Sequence, residues 1–274
     1  MDSTGRSAQR EAAIGVFDSG VGGLTVLREL IALLPSESTV YLGDTARVPY
    51  GTRSREVVTR YALLCARHLA ARGIKLLVVA CNTVSADSLP AIAEALPIPV
   101  LGVIEAGAQA AAARTRGGGI AVLGTPATVA SGAYQAVLAR IAPLAKVAAR
   151  ACPLFVPLAE EGWIDGEVPR LVAQRYLGDL RRAGVDTVLL GCTHYPLLAA
   201  TIAEVVGPEM AIVDGAQATA RAVAHLLEVR DLRRSGGVAE HRTLCTDVPD
   251  RFQKIAERFL GRPVGAVDLV DLTP

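Results

Sequence analysis

Two cysteines occupy matching positions in two similar segments of the sequence. Cys81 lies in KLLVVACNT and Cys192 lies in DTVLLGCTH. Each segment has an apolar run typical of a buried strand, then a small residue, the cysteine, a threonine within two positions and a helix-like stretch. A thiol has an ordinary pKa near about 8.5, which can be tuned so that the group gives or takes a proton at neutral pH. The matched pair therefore indicates acid–base chemistry by two thiols.

Most free cysteines are small buried hydrophobic residues, and this explanation applies to any single one of the five in the chain. No cysteine forms a C-x-x-C pair or lies beside a histidine at finger spacing, which argues against a zinc or thiol redox site. Ligands of open α/β sheets bind at the carboxyl ends of strands, where both segments place their cysteine. Two halves that face each other would bring Cys81 and Cys192 to one cleft.

Compact polar residues follow the two cysteines. Asn82, Thr83 and Thr193 could hold the ammonium or carboxylate group of a small substrate. His194 could tune the thiol of Cys192, although a histidine taken alone is more simply a core or capping residue. The amino end of a following helix lowers the pKa of a cysteine placed there.

Three further segments carry polar groups at strand ends or turns. In FDSGVGGL, Asp18 and Ser19 either project over an anion-binding helix start or form an ordinary turn with Asp18 as N-cap, and the glycines allow positive φ and close approach of a ligand. In GDTARVPYG, the Tyr50 phenol and the backbone at Gly51 could hold a carboxylate, or the segment is only a turn. Thr125 supplies another hydroxyl at a strand end.

Two acidic residues end the segment LFVPLAEEGW. Both could belong to a solvated loop, which is the favoured interpretation for Glu161, whereas Glu160 could instead face the cleft beside His194. The segment DGA at 214–216 repeats the pattern of a polar group after a strand, with no further signal.

Nine short apolar runs alternate with helix-length segments along the chain. Continuous apolar runs fit strands that are covered on both faces, and their alternation with helices predicts an α/β fold with mostly parallel sheets. The runs are 14–17, 40–43, 75–80, 99–103, 120–124, 146–151, 187–191, 211–214 and 243–246.

Nine strands are many for one open sheet, and the alanine-rich stretch 105–116 followed by three glycines marks a change of unit. We therefore predict two α/β domains with the active site in the cleft between them. Residues 12–101 together with 212–274 form the first domain, residues 102–211 form the second, inserted domain, and residues 1–11 form a flexible tail.

The composition excludes several classes of protein. The chain has 274 residues and is 51% hydrophobic, so it can build a core. Its formal net charge is +1, so it has no general attraction to nucleic acid or to membranes. The sequence contains no run of about 18 apolar residues, which is the length needed to span a bilayer. The start MDSTGRSAQREAA is unlike a secretory signal. These features predict a cytoplasmic protein with reduced thiols.

The order of the motifs resembles that of the glutamate racemases, which make D-glutamate for bacterial peptidoglycan. FDSGVGGL, GDTARVPYG, VVACNT, LGTPAT, CPLFVPLAEEG, LLGCTHYPLL and DGA occur in the family's order over about residues 14–216. A longer amino-terminal tail, and alanine for a commoner valine in VPLAEEG, are slight departures that put no catalytic role in doubt. The resemblance implies two pseudo-symmetric α/β halves and racemisation of L-glutamate to D-glutamate without pyridoxal phosphate, metal or any other cofactor.

The resemblance also implies roles for individual residues. Cys81 and Cys192 are the expected catalytic pair, with Asp18 assisting the first and Glu160 with His194 assisting the second. Glutamate is the expected small-molecule partner, and homodimers are common in the family, in differing arrangements. The substrate contacts carried over are Asp18, Ser19, Tyr50, Gly51, Asn82, Thr83, Thr125, Thr193 and His194.

Three alternatives stay open from the sequence. A relative acting on aspartate, hydantoins or malonates would share the scaffold, although a decarboxylase of that kind can manage with one cysteine. A two-lobed amino-acid-binding module would be expected to carry an export signal. A thiol redox or metal protein would be expected to carry a C-x-x-C pair.

Overall fold

The computed structural model of the protein describes residues 3–180 and 182–272. Within that part of the chain no helix is long and apolar enough to cross a membrane. The strands are β1 (Ile14–Asp18), β2 (Thr39–Gly43), β3 (Leu76–Val79), β4 (Val100–Gly102), β5 (Gly119–Gly124), β6 (Val147–Ala151), β7 (Val185–Gly191), β8 (Ala211–Asp214), β9 (His241–Cys245) and β10 (Val267–Leu269). The α-helices are α1 (Ser3–Glu11), α2 (Leu24–Leu33), α3 (Arg55–Ala70), α4 (Asn82–Asp87), α5 (Leu89–Ala95), α6 (Val103–Arg114), α7 (Pro126–Ala130), α8 (Ala133–Ile141), α9 (Phe155–Glu161), α10 (Glu167–Leu177), α11 (Ala199–Val206), α12 (Gly215–Val229) and α13 (Pro249–Leu260).

The strands of the described residues form two parallel sheets. The first sheet has six strands in the order β10-β9-β2-β1-β3-β4, and the second has four in the order β6-β5-β7-β8. Every neighbouring pair is parallel. The predicted α/β class is confirmed, and each of the nine predicted runs coincides with one of β1 to β9. Only β10 was missed, because its short sequence VDL is largely exposed and pairs with β9 alone.

Helices cover both faces of the first sheet. All residues of β1 and β3 are buried. Successive side chains of a strand point to opposite faces: Ile14 and Val16 join the core that contains the leucines of α2, whereas Phe17 joins the core that contains α3. Packing on both faces holds the carboxyl ends of these strands in fixed positions, and the polar residues that follow them are held with them.

The second half extends further along the chain than the sequence indicated. The predicted boundary at residue 212 falls inside β8, which pairs with Thr187–Leu190 of β7 through all of its residues. The second sheet therefore runs to Asp214. The next helix, α12, packs against both α2 and α6 and so connects the two halves.

The amino-terminal segment forms the helix Ser3–Glu11, whereas the sequence predicted a flexible tail over residues 1–11. Lys75 Nζ donates a hydrogen bond to the carbonyl oxygen of Arg10 at 2.6 Å. Glu11 pairs with Arg234 at 2.6 Å. The polar composition of the segment concealed these contacts, because their partners lie far away in sequence. Residues 1 and 2 lie outside the described residues.

Candidate active site

The two matched cysteines lie at the carboxyl ends of strands in different sheets. Cys81 is separated from β3 by one residue and is the N-cap of α4, and Cys192 directly follows β7. Each is 6% exposed, and both line one cavity of about 240 Å³. A concave space of this size can enclose a small molecule. The two sheets thus bring both thiols to one site.

The cavity collects every other predicted site residue except Asp18. Valine and proline side chains make up much of the remaining wall, which limits the number of water molecules beside the polar groups. The predicted residues that line the cavity are Ser19, Tyr50, Gly51, Asn82, Thr83, Thr125, Glu160, Thr193 and His194. The other lining residues are Gly20, Val48, Pro49, Thr52, Pro126, Pro153, Val156 and Pro157.

Asp18 lies beneath the cavity wall, so the structure does not support its predicted contact with substrate. Its side chain is fully buried, and one carboxyl oxygen accepts a hydrogen bond from the Gly20 amide at 2.9 Å. Burial raises the pKa of Asp18, and the opposing charge of His194 does not cancel this effect. Burial, and then the charge of Asp18, raises the pKa of Cys81 to about 12. Asp18 therefore acts on Cys81 through its charge and favours the protonated thiol.

Cys192 has a different set of neighbours. Its Sγ lies 3.9 Å from Nδ1 of His194, and Nε2 of the same ring lies 3.0 Å from Oε1 of Glu160. Burial opposes protonation of His194, but the hydrogen bonds and charges of Cys192 and Glu160 outweigh it and raise the pKa of His194 to about 10. An imidazolium at neutral pH stabilises a thiolate beside it. The two cysteines thus differ in their charged neighbours, which are the Asp18 carboxylate for Cys81 and the His194 imidazole for Cys192.

The glycines of FDSGVGGL serve close packing. None of Gly20, Gly22 and Gly23 has a positive φ, so the conformational reason expected from the sequence was wrong. A Cβ at Gly22 would lie 2.2 Å from Oγ1 of Thr193 and 2.5 Å from Nδ1 of His194. Because Gly22 has no side chain, the backbone of the first half can lie close to His194 of the second half.

The phenol of Tyr50 is occupied by a protein partner. Its hydroxyl donates to the fully buried carboxylate of Asp44, which also accepts hydrogen bonds from Arg47 at 2.7 Å and Thr246 at 2.8 Å. The expectation that this phenol holds a substrate carboxylate therefore has no support in the structure. Asp44 instead anchors the loop whose Tyr50–Gly51 portion lines the cavity. Sequence reasoning missed Asp44, although it stands in the same GDTARVPYG motif.

Threonine hydroxyls join the two halves at the rim of the cavity. Oγ1 of Thr83 lies 3.0 Å from Oγ1 of Thr125 and 3.3 Å from Oγ1 of Thr128. The Ala127 amide donates to the carbonyl oxygen of Gly51 at 3.1 Å. Because Thr83 and Gly51 belong to the first half and the others to the second, these bonds hold the two sides of the cavity together.

Comparison with known proteins shows the family of this chain. The Asp/Glu/hydantoin racemase family model matches residues 14–223. A glutamate racemase of Geobacter metallireducens is 56% identical over 261 residues, which cover 95% of this chain and 97% of that protein. The chain belongs to the Asp/Glu/hydantoin racemase family. The resemblance inferred from the motifs is thereby confirmed.

Two crystal structures of glutamate racemases share the fold of this family member. The Francisella tularensis enzyme, solved in complex with D-glutamate, has a TM-score of 0.91 at 34% identity, covering 96% of this chain and 98% of that one. A Bacillus anthracis isoform has a TM-score of 0.92 at 40% identity, with the same shares covered. The two-sheet arrangement is therefore that of the glutamate racemases.

A carboxyl-terminal helix of this racemase supports the second half of the site, a contribution that sequence reasoning missed. The Arg258 guanidinium of α13 donates to the carbonyl oxygen of Glu160 at 2.6 Å, and the ring of Phe259 packs edge-on against His194 with 5.1 Å between centroids. The amphipathic pattern of α13 indicates a packed helix but not its partners. The α13 contacts fix the backbone that carries Glu160 and one face of the imidazole ring.

Removal of the Glu160 charge should change the pH dependence of activity. In Glu160→Gln the carboxylate that favours the imidazolium is lost, so the pKa of His194 falls from about 10. We expect the alkaline limb of kcat/KM to move to lower pH by about one unit or more. The measurement is kcat/KM from pH 6 to pH 10 in both directions of racemisation.

The adjacent exposed Glu161 offers a matched control for that measurement. Glu161→Gln removes the same charge without touching His194, and its pH profile should coincide with that of the parent protein. Superimposable profiles for Glu160→Gln and the parent protein would show that Glu160 does not set the protonation of His194.

Proposed function

We propose that this protein interconverts L-glutamate and D-glutamate by a two-base mechanism in which Cys81 and Cys192 act from the two sides of the α-carbon. The observation that carries the proposal is the meeting of two thiols, one from each sheet, in one small cavity lined by hydrogen-bonding groups. Glutamate as substrate is supported by the family relationship and by the Francisella tularensis enzyme, which was solved in complex with D-glutamate.

Racemisation needs one proton to leave and another to arrive at the opposite face. One cysteine, as thiolate, takes the α-proton, so that the C–H bond breaks, an S–H bond forms and the electron pair stays on the α-carbon. The other cysteine, as thiol, donates its proton to the opposite face and becomes a thiolate. The product is the mirror image of the substrate, and one proton has moved from one cysteine to the other.

The α-carbanion is the difficult species in this reaction, and the cavity must stabilise it with fixed donors. Donors aimed at developing charge in a water-poor site are worth more than they are in water. The hydroxyls of Ser19, Thr83 and Thr193 and the amide of Asn82 line the cavity. We propose that these groups bind the carboxylates and the ammonium and stabilise the charge that develops at the α-carbon.

The different neighbours of the two thiols define a starting state. The high pKa of Cys81, about 12, keeps its proton in place at neutral pH. Nδ1 of His194 lies 3.9 Å from Sγ of Cys192, so the positive charge of a protonated imidazole would lie beside that sulfur. We propose that Cys81 therefore starts as the proton donor toward one enantiomer, and that the reverse direction begins after the proton has moved.

A deuterium experiment tests the proposed function. Purified protein is incubated with L-glutamate in D₂O without added cofactor, while optical rotation and the α-proton signal are followed. Decay of rotation to zero with loss of the α-proton is the expected result. Activity on aspartate or a malonate but not on glutamate would retain the fold and refute the substrate, and no exchange with any of them would refute the reaction.

The biological role that fits this reaction is the supply of D-glutamate. We propose that the protein provides D-glutamate for bacterial peptidoglycan from the cytoplasm, where L-glutamate is available as substrate. Deletion of the gene in its host should produce a requirement for external D-glutamate. Growth without that supplement, in a strain with no second source of D-glutamate, would contradict the role.

A further inference from the structure

Asn82 is held from behind by a tyrosine of the other half. Tyr134 of α8 donates its hydroxyl hydrogen to Oδ1 of Asn82 at 2.7 Å. Tyr134 is 1% exposed and does not line the catalytic cavity, whereas Asn82 does. The bond therefore connects a buried residue of the second half to a cavity residue next to Cys81.

The ring of Tyr134 is closely packed on several sides. A Cβ at Gly191 would lie 3.0 Å from Cε2 of the ring, and a Cβ at Gly107 would lie 3.2 Å from the hydroxyl oxygen. Leu138 and Leu189 belong to the same core cluster. Close packing on these sides directs the hydroxyl toward Asn82. One of the packing residues, Gly191, directly precedes Cys192.

The direction of this hydrogen bond decides what Asn82 can offer to a ligand. A side-chain amide has an acceptor oxygen and a donor NH₂ group on opposite sides of one carbon. With the oxygen held by Tyr134, the NH₂ group points away from α8. Because Asn82 lines the cavity, this NH₂ group is placed to donate to a ligand there. Burial raises the pKa of Tyr134, so the phenol keeps its proton and remains the donor.

We propose that Tyr134 is a positioning residue that fixes the Asn82 amide so that only N–H donors face a carboxylate of the substrate. This inference rests on the proposed function, since an amino-acid racemase binds a carboxylate in both directions. Without the phenol the amide can rotate and present its oxygen, which repels a carboxylate. Tyr134 thus lies beside a chain neighbour of each cysteine: its hydroxyl bonds to the Asn82 side chain, and its ring fills the space where a side chain at Gly191 would stand.

The test is Tyr134→Phe, which keeps the ring and removes the hydroxyl. A contact made equally to bound substrate and transition state affects KM more than kcat. We expect KM to rise by about tenfold for both L-glutamate and D-glutamate, with kcat changed by less than about threefold. The rise reflects loss of the hydrogen bond between the Asn82 amide and the charged carboxylate of the substrate, which costs on this order. Tyr176→Phe removes a phenol that instead accepts from the Leu154 amide at 3.3 Å, and its KM should match that of the parent protein.

A double-mutant cycle separates positioning from a general loss of packing. Asn82→Ala alone should raise KM, and adding Tyr134→Phe to it should raise KM by less than about twofold more, because the phenol then has no amide to fix. Additive effects, or an unchanged KM in Tyr134→Phe, would overturn the inference. Absence of racemisation by the parent protein would overturn the proposed function first, and this inference with it.

Discussion

Cys81→Ser and Cys192→Ser should each lower racemisation of glutamate by about a thousandfold or more in both directions. A serine hydroxyl is a weak acid and a weak base near neutral pH, so it replaces neither the thiol that donates nor the thiolate that accepts. Each variant retains one cysteine and should still exchange the α-proton of one enantiomer with D₂O. The enantiomer that exchanges should differ between the two variants.

Cys152→Ser is the matched control for these substitutions. Cys152 is fully buried, does not line the cavity, and its Sγ donates to the carbonyl oxygen of Arg150 at 3.6 Å, a bond that a serine hydroxyl can also make. Its activity should stay within about twofold of the parent value, since neither reacting group is touched. Normal racemisation by Cys81→Ser or Cys192→Ser would end the two-thiol mechanism.

Gly22→Ala should lower kcat/KM by about a hundredfold, although the residue touches no substrate. The added methyl carbon would lie 2.2 Å from Thr193 and 2.5 Å from His194, so one or both must move. A displacement of about 1 Å at a catalytic group can cost about a hundredfold in rate. The measurement is kcat/KM in both directions, together with the circular dichroism spectrum, which should be unchanged because the clash involves side chains.

Gly236→Ala provides the comparison, since a Cβ at Gly236 meets no atom within 4 Å and the residue has no positive φ. Its kcat/KM should equal the parent value. A Gly22→Ala protein with parental activity would show that the position of His194 is not critical for the reaction.

The strands and the cysteine pair could be predicted from the sequence because both are local signals. An apolar run reports a buried strand from its own residues, and a cysteine directly after such a run lies at its carboxyl end. The matched segments around Cys81 and Cys192 therefore placed both residues at strand ends before any contact was known. The predicted substrate contacts other than Asp18 also line the cavity, because the motifs that contain them follow strands.

The supporting contacts could not be predicted because their partners lie far along the chain. Tyr134 stands 52 positions from Asn82, and Arg258 stands 98 positions from Glu160. The sequence around Tyr134 and that around Arg258 each predict a helix, but neither indicates which distant residue the side chain contacts. The same reason explains why the sequence did not indicate the bond between the Tyr50 phenol and Asp44, since a phenol is suited equally to a substrate carboxylate and to a carboxylate of the protein.

The place of β9 in the first sheet has a consequence for synthesis of the chain on the ribosome. Thr39 at the start of β2 contacts His241 at the start of β9, 202 positions later. All strands of the second sheet are synthesised before β9. Until β9 is made, β2 can pair with β1 on one side but has no partner strand on its other side. Open edges of this kind are where incomplete chains pair with one another. The nascent protein therefore depends on β9 and β10 to complete the sheet that carries Cys81.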